Sequence, residues 1–141
     1  MMKRVLLPLV CMACTKSLAQ NKLHITVTNL EKAGTVYIAI YDKPDCFGNP
    51  HKAIRKLVSQ PEKSSLTATA ENLPQGDYAI AVYQDINDNK KIDKNILGIP
   101  TEPFAFSNNV RPIVSAPTFK QCKVLLTKPE QSISIKLMNY L

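Results

Sequence analysis

Tryptophan is absent from this 141-residue chain, glycine occurs only 4 times, and aromatic residues make up 6% of it. So little glycine excludes a collagen-like architecture and leaves no glycine-rich loop to cradle a phosphate. No G-x-S-x-G or H-E-x-x-H motif occurs, and the 2 histidines, His24 and His51, stand at no spacing that favours pairing with a serine or cysteine nucleophile. Beyond the N-terminal segment no apolar run approaches the roughly 20 residues that a membrane-spanning helix needs. What remains, 45% hydrophobic and 21% charged, is the balance of a packed globular chain of one domain.

The start of the chain is an export signal. Met1-Met2-Lys3-Arg4 is basic, Val5 to Cys14 is apolar, and Ser17-Leu18-Ala19 ends in small residues, so residues 1–19 read as a secretory signal peptide. The apolar run is about half of spanning length and contains Pro8, which opposes a retained anchor. Lipidation at Cys14 is an alternative favoured by Ala13 and opposed by Cys11. Cleavage after Ala19 gives a domain over residues 20–141, without a transmembrane segment, in the periplasm, outside the cell or at the outer membrane. Removing Lys3, Arg4 and Lys16 from the 18 basic residues leaves 15 against 11 acidic ones, so the net charge falls from +7 to +4. That mild positive balance suits an anionic partner such as a polysaccharide or lipid headgroup, or is a solvated surface. Nucleic acid is excluded by the compartment. Cys46 and Cys122 survive cleavage, and an oxidising compartment permits a disulfide between them. Such a bond would close a span of 76 residues and contribute roughly 4 kcal/mol on the chain-entropy view.

Strand signals dominate the rest. Leu23-His24-Ile25-Thr26-Val27-Thr28 alternates apolar and polar residues and predicts a half-buried strand. The near-continuous apolar run Val36 to Tyr41 predicts a more buried strand, set against the first as an antiparallel hairpin. Ser65 to Ala70 and Tyr78 to Tyr83, joined across Pro74-Gln75-Gly76-Asp77, predict a second hairpin with Gly76 at positive φ. Lys123 to Leu126 and Ser132 to Leu137 complete the set. About seven strands without a long helical period predict an all-β fold, an antiparallel immunoglobulin-like or transthyretin-like β-sandwich. One short helix is expected after Asn49, with Pro50 at its first position, Ala53, Ile54 and Leu57 inward, and a basic face of His51, Lys52, Arg55 and Lys56. The segment from Asp85 to Gln121 is too long for an ordinary connection. Its apolar residues, among them Ile96, Leu97, Ile99, Ile113 and Val114, predict an ordered loop that packs down.

Chemistry concentrates at Asp85-Ile86-Asn87-Asp88-Asn89-Lys90-Lys91-Ile92-Asp93. Side-chain oxygens at Asp85, Asn87, Asn89 and Asp93, with the Lys91 carbonyl, occupy alternate positions of an EF-hand-like loop, the pattern that offers calcium several hard oxygen ligands from one segment. Lys90 stands where glycine makes the sharp turn, and Ile96 where a glutamate closes the shell. The segment is therefore a candidate low-affinity calcium loop or a self-bonded Asx-rich turn.

Further motifs carry a family resemblance. Asn72-Leu73-Pro74-Gln75-Gly76-Asp77-Tyr78, the Asp85–Asp93 run, Leu97-Gly98-Ile99-Pro100-Thr101-Glu102-Pro103-Phe104-Ala105-Phe106-Ser107-Asn108-Asn109 and Ala116-Pro117-Thr118-Phe119 together resemble the bacterial exported domain-of-unknown-function family DUF2141, over nearly the whole mature chain. The resemblance implies no activity. Its Leu-Pro-x-Gly-x-Tyr hairpin is similar to that of transthyretin-like and carboxypeptidase-regulatory-like sandwiches, which implies the same fold. The expectation is a non-enzymatic binding or accessory module of the envelope, possible calcium its only cofactor and an envelope protein or glycan its partner. Its contact surface is expected at Glu102, Phe104, Phe106, Asn108 and Asn109, with Glu102 and the two asparagines completing an ion shell. The alternatives are a small carbohydrate-acting hydrolase using Asp85, Asp93 or Glu102 as acid and base, and a structural partner of an outer-membrane assembly.

Overall fold

The computed structural model describes residues 20–31 and 33–139, so the signal segment predicted over 1–19 lies outside the described residues. Eight strands follow in order: β1 (Asn21–Thr28), β2 (Thr35–Tyr41), β3 (Arg55–Ser59), β4 (Ser65–Leu73), β5 (Gly76–Asp85), β6 (Phe104–Phe106), β7 (Val124–Leu126) and β8 (Glu130–Lys136). One short helix, α1 (Phe119–Cys122), precedes β7. The strands form two sheets, one of three strands in the order β4-β1-β8 and one of five in which β3-β2-β5-β6 run side by side and β7 joins the start of β5. This is an all-β sandwich.

Burial explains which strand went to which sheet. β1 buries Leu23, Ile25 and Val27 completely, while its other face is polar, with His24 Nδ1 2.9 Å from Thr69 Oγ1 and Thr26 Oγ1 2.9 Å from Thr67 Oγ1 across to β4. One apolar face suits a sheet that water covers on the other side. β2 and β5 are apolar on both faces and lie at the centre of the larger sheet. Val36, Ile38, Ile40, Ile80 and Val82 meet β1, Leu126 and Ile135 in the main core. The opposite face carries Tyr41 and Ala79 beneath a second cluster built from Phe119 and Cys122, against which Cys46, Phe47, Phe106 and Val110 pack. Phe47 anchors that cover with edge contacts to Tyr41, Phe106 and Phe119 at centroid distances of 5.4, 6.0 and 6.2 Å.

The same segregation changes the expected pairing. Neither predicted hairpin forms: β1 and β2 lie in different sheets, as do β4 and β5, and the short links between them cross the sandwich. β8 pairs with β1 in parallel, from Lys22 opposite Glu130 to Thr28 opposite Lys136, so one pair departs from the antiparallel expectation. Gly76 does not take positive φ; Asn72 does, at 59°. The predicted helix after Asn49 is a single 3-10 turn, Pro50–Lys52, with the Asn49 side chain accepting from the His51 amide. The following residues run on as edge strand β3, because Arg55 to Ser59 pair with the free edge of β2.

The end of β5 positions the loop beyond it. Gln84, fully buried, accepts from the Glu31 amide at 2.9 Å and donates to the Glu31 and Ala33 carbonyls. Gly34, at φ 115°, lets that link pass so close that a Cβ there would stand 2.5 Å from the Asp85 carbonyl oxygen. Downstream, the fully buried Ser107 hydroxyl accepts from the Ile80 amide and donates to the Cys122 carbonyl, tying β5 to α1. Ser107→Ala leaves that amide and that carbonyl short of a partner in a closed core, and a loss of about 1–3 kcal/mol is expected in urea unfolding.

Candidate functional site

β5 and β6 are antiparallel neighbours, Tyr83 facing Phe104, so residues 86–103 form one long connection between adjacent strands. Two buried carboxylates close its foot. Asp85, fully buried, accepts from the Asn89 amide at 3.2 Å and the Lys90 amide at 2.6 Å. Glu102, 6% exposed, reaches in from the returning arm and accepts from the Ile86 amide at 2.9 Å and the Asp93 amide at 3.0 Å. A carboxylate has two oxygens and several lone pairs, so each one closes two backbone donors that the irregular chain would otherwise leave unbonded. The sharp turn that lacks glycine forms nonetheless: Asp88 and Lys90 take positive φ, 56° and 65°, with the Asp85 carboxylate gathering the amides of that turn.

Above the foot the predicted calcium residues bond to one another. Asp93 accepts from the Asn87 amide nitrogen at 2.6 Å and from the Asn89 amide nitrogen at 2.9 and 3.0 Å. The Asn87 and Asn89 oxygens accept from the Asn89 and Lys91 backbone amides at 3.2 and 2.9 Å. Asp85, Asn87, Asn89, Lys91 and Asp93 are thus brought into one turn whose carboxylates already hold N–H donors. Among the described residues no three His, Cys, Asp or Glu side chains form a group fit to hold a metal. A cation here would have to draw on the Lys91 carbonyl and on the Asn oxygens, displacing the bonds those oxygens now accept.

The outer end of the loop is a second small turn. Lys94 bridges Pro100, and the Asn95 amide donates to the Ile99 carbonyl at 2.9 Å. The Asn95 side-chain oxygen accepts from the Leu97 amide at 2.9 Å and the Ile99 amide at 3.1 Å, and Gly98 takes φ 76°. These bonds hold Ile96 and Leu97 out in solvent, 102% and 77% exposed. The expectation that the loop's apolar residues pack down fails here and at Ile113 and Val114, which are also exposed. A four-residue turn between paired arms has no interior in which to fold two aliphatic side chains.

The remaining predicted residues are scattered. Glu102 and Phe104 are buried, and Phe106 is half-buried under the outer cluster, so the expected contact surface does not include them as exposed groups. Asn108 and Asn109 are exposed but support the backbone: Asn108 donates to the Gln121 and Lys123 carbonyls, and Asn109 bonds the Ser134 carbonyl and the Lys136 amide. Of the residues proposed to complete an ion shell, Glu102 alone joins the loop's hydrogen-bond network. Cys46 and Cys122 are free thiols packed against the same outer cluster, and burial pushes the Cys122 thiol up to about 11. A shallow cleft of about 490 Å³ lies elsewhere, lined by Asp42, Asp77, Phe119, Lys120 and Lys123, with Asp77 held 3.0 Å from Lys123. Sequence reasoning missed the outer turn, although Asn95-Ile96-Leu97-Gly98 carries a turn signal at both ends of an apolar pair.

A family model described as an uncharacterized protein conserved in bacteria, DUF2141, matches residues 25–134. No curated protein and no solved structure matches the chain.

Two outcomes follow from the foot of the loop. Glu102→Gln places an amide N–H against the Ile86 or the Asp93 amide, and a loss of about 2–3 kcal/mol is expected in urea unfolding. Tyr83 stacks on Tyr37 at 4.9 Å, and burial, then Tyr37, Asp85 and Glu102, push its hydroxyl up to about 12. The unfolded phenol ionises near 10, so above that pH the unfolded chain binds fewer protons than the folded one. Stability contributed by neutral Tyr83 is therefore complete below about pH 10 and falls away as pH rises toward about 12. Unfolding curves across that window should show the fall, and Tyr83→Phe should flatten part of it.

Proposed function

Because the chain belongs to the bacterial family DUF2141, a membership that brings no activity with it, we propose, from the signal-like N-terminal sequence, that it is exported and, from the geometry, that it is a non-enzymatic binding module of the envelope. Its contact element is the 86–103 loop. The observation that carries this reading is the division of labour within the loop. Its buried carboxylates, Asp85 and Glu102, are each engaged by two backbone amides, which argues against an acid and base converging on a substrate. Its outer turn holds large apolar side chains in water, and groups displayed on a rigid scaffold are characteristic of recognition surfaces.

The test is to replace residues 95–98 by a two-residue Asn-Gly turn. Residues 95–98 are exposed and belong to neither core cluster, so the melting temperature of the variant should stay within a few degrees of the parent. Its association with the bacterial envelope fraction should be lost. Undiminished association in a folded variant would overturn the reading.

A calcium-loaded form is a second reading, favoured by one observation: Lys90, at φ 65°, already holds the turn that glycine makes at the sixth position of a calcium loop. The ion would replace the Asn87 and Asn89 amide nitrogens on Asp93, with both amides turned to present oxygen. Affinity in the extracellular range, on the order of 10⁻⁴–10⁻³ M, would give a stabilisation of about 1–2 kcal/mol at a few millimolar calcium. A thermal melt in calcium against EDTA, with magnesium as control, should show a calcium-specific rise that Asp93→Asn removes. No rise leaves the loop as the self-bonded turn described above.

A further inference from the structure

We propose that the Asn95–Ile99 turn seats the protein on an anionic lipid surface, with Ile96 and Leu97 entering the interface and lysines meeting the headgroups. This rests on the reading of the loop as the contact element and names its partner. Ile96 is 102% exposed and Leu97 77%, with Ile99 at 40% closing the turn, so the apolar groups sit together at the apex. The apex is preset by the Asn95 side chain on two amides, the Gly98 amide on the Asn95 carbonyl and the Lys94–Pro100 bridge. A preset apex loses little conformational freedom on insertion.

The exposed charge around it is three lysines against one aspartate. Lys90, Lys91 and Lys94 are exposed, and among the described residues none of the three makes an ion pair. Against them stands exposed Asp88, while half-buried Asp93 has Asn87 and Asn89 on its oxygens. Lysines beside apolar side chains match an anionic bilayer, where headgroup attraction and apolar insertion add. A protein partner fits less well. A stable protein interface covers about 800 Å² on each side with a well-packed centre, whereas this apex is a narrow convex turn with two aliphatic side chains and no aromatic residue. A bilayer closes around a convex point without needing a complementary surface.

The experiment is co-sedimentation of the chain from Gln20 onward, which contains the whole described sandwich, with vesicles in EDTA so that no divalent cation contributes. Vesicles of phosphatidylcholine and phosphatidylglycerol in equal parts are compared with phosphatidylcholine alone. Binding to the anionic vesicles is expected, weakening as salt rises, with little on the neutral ones. Ile96→Asp with Leu97→Asp should weaken binding by at least about a hundred-fold, and Lys91→Ser with Lys94→Ser roughly 30-fold. Leu125→Asp, an exposed site on β7 at the opposite end of β5, should bind like the parent. Equal binding to both vesicle types, no binding, or binding that survives the Ile96/Leu97 change overturns the proposal. If vesicles are not bound while shortening the turn still releases the protein from the envelope fraction, the lipid is refuted and the contact reading stands with a protein or glycan partner. If shortening the turn releases nothing, both fall.

Discussion

The loop beyond the end of β5 depends on how two buried carboxylates find hydrogen-bond donors. Asp85 and Glu102 lie inside the foot of a long irregular loop, where an unpartnered carboxylate would be costly and an unpartnered backbone amide nearly as unwelcome. Each resolves the other's difficulty: four loop amides point inward and find four carboxylate contacts. One of the pair belongs to the strand and the other to the returning arm, so the arrangement also fixes where the loop leaves and rejoins the sheet. The outer turn inherits its position from that closure, since the Asp93 amide sits on Glu102 and the Asp93 carbonyl accepts from Thr101.

The sheet beneath supplies the rigid base. β2 and β5 are apolar on both faces and sit between the main core and the outer cluster, which is why the chain makes two long excursions, one after β2 and one after β6, to cover them. Phe47, Phe106 and Phe119 do most of the covering. Ser107 then links the covered strand to α1 through a fully buried hydroxyl. The loop therefore stands on strands buried on both faces, and its apolar apex is displayed at the end of β5 away from β7.

Much of this was legible in the residues. The alternation of Leu23, Ile25 and Val27 gave a one-faced strand, the continuous run from Val36 gave a two-faced one, and the oxygens at Asp85, Asn87, Asn89 and Asp93 marked a tight self-bonding segment. The pairing was not legible, because local alternation says which face is buried and nothing about which distant strand covers it. The start of β3, Arg55 to Leu57, reads as helix for a related reason: the strand is a half-exposed edge with no strong period. Glu102 reads as a contact residue in the sequence because the amides that hold it, Ile86 and Asp93, stand 16 and 9 positions away. Its neighbours Pro103, Phe104 and Ala105 gave the available hint, a single acid entering a buried stretch. Ile96 and Leu97 were expected to pack down because apolar residues usually do, and the turn chemistry around them prevented it.

Amide hydrogen exchange followed residue by residue by NMR tests the central claim, that the loop is a carboxylate-pinned rigid element. The account predicts that the amides of Ile86, Asn89, Lys90 and Asp93 at the foot, and of Leu97 and Ile99 at the outer turn, exchange far more slowly than unstructured peptide, with protection at the foot lost in Glu102→Gln. Exchange of these six amides at the free-peptide rate while β2 and β5 stay protected would contradict it.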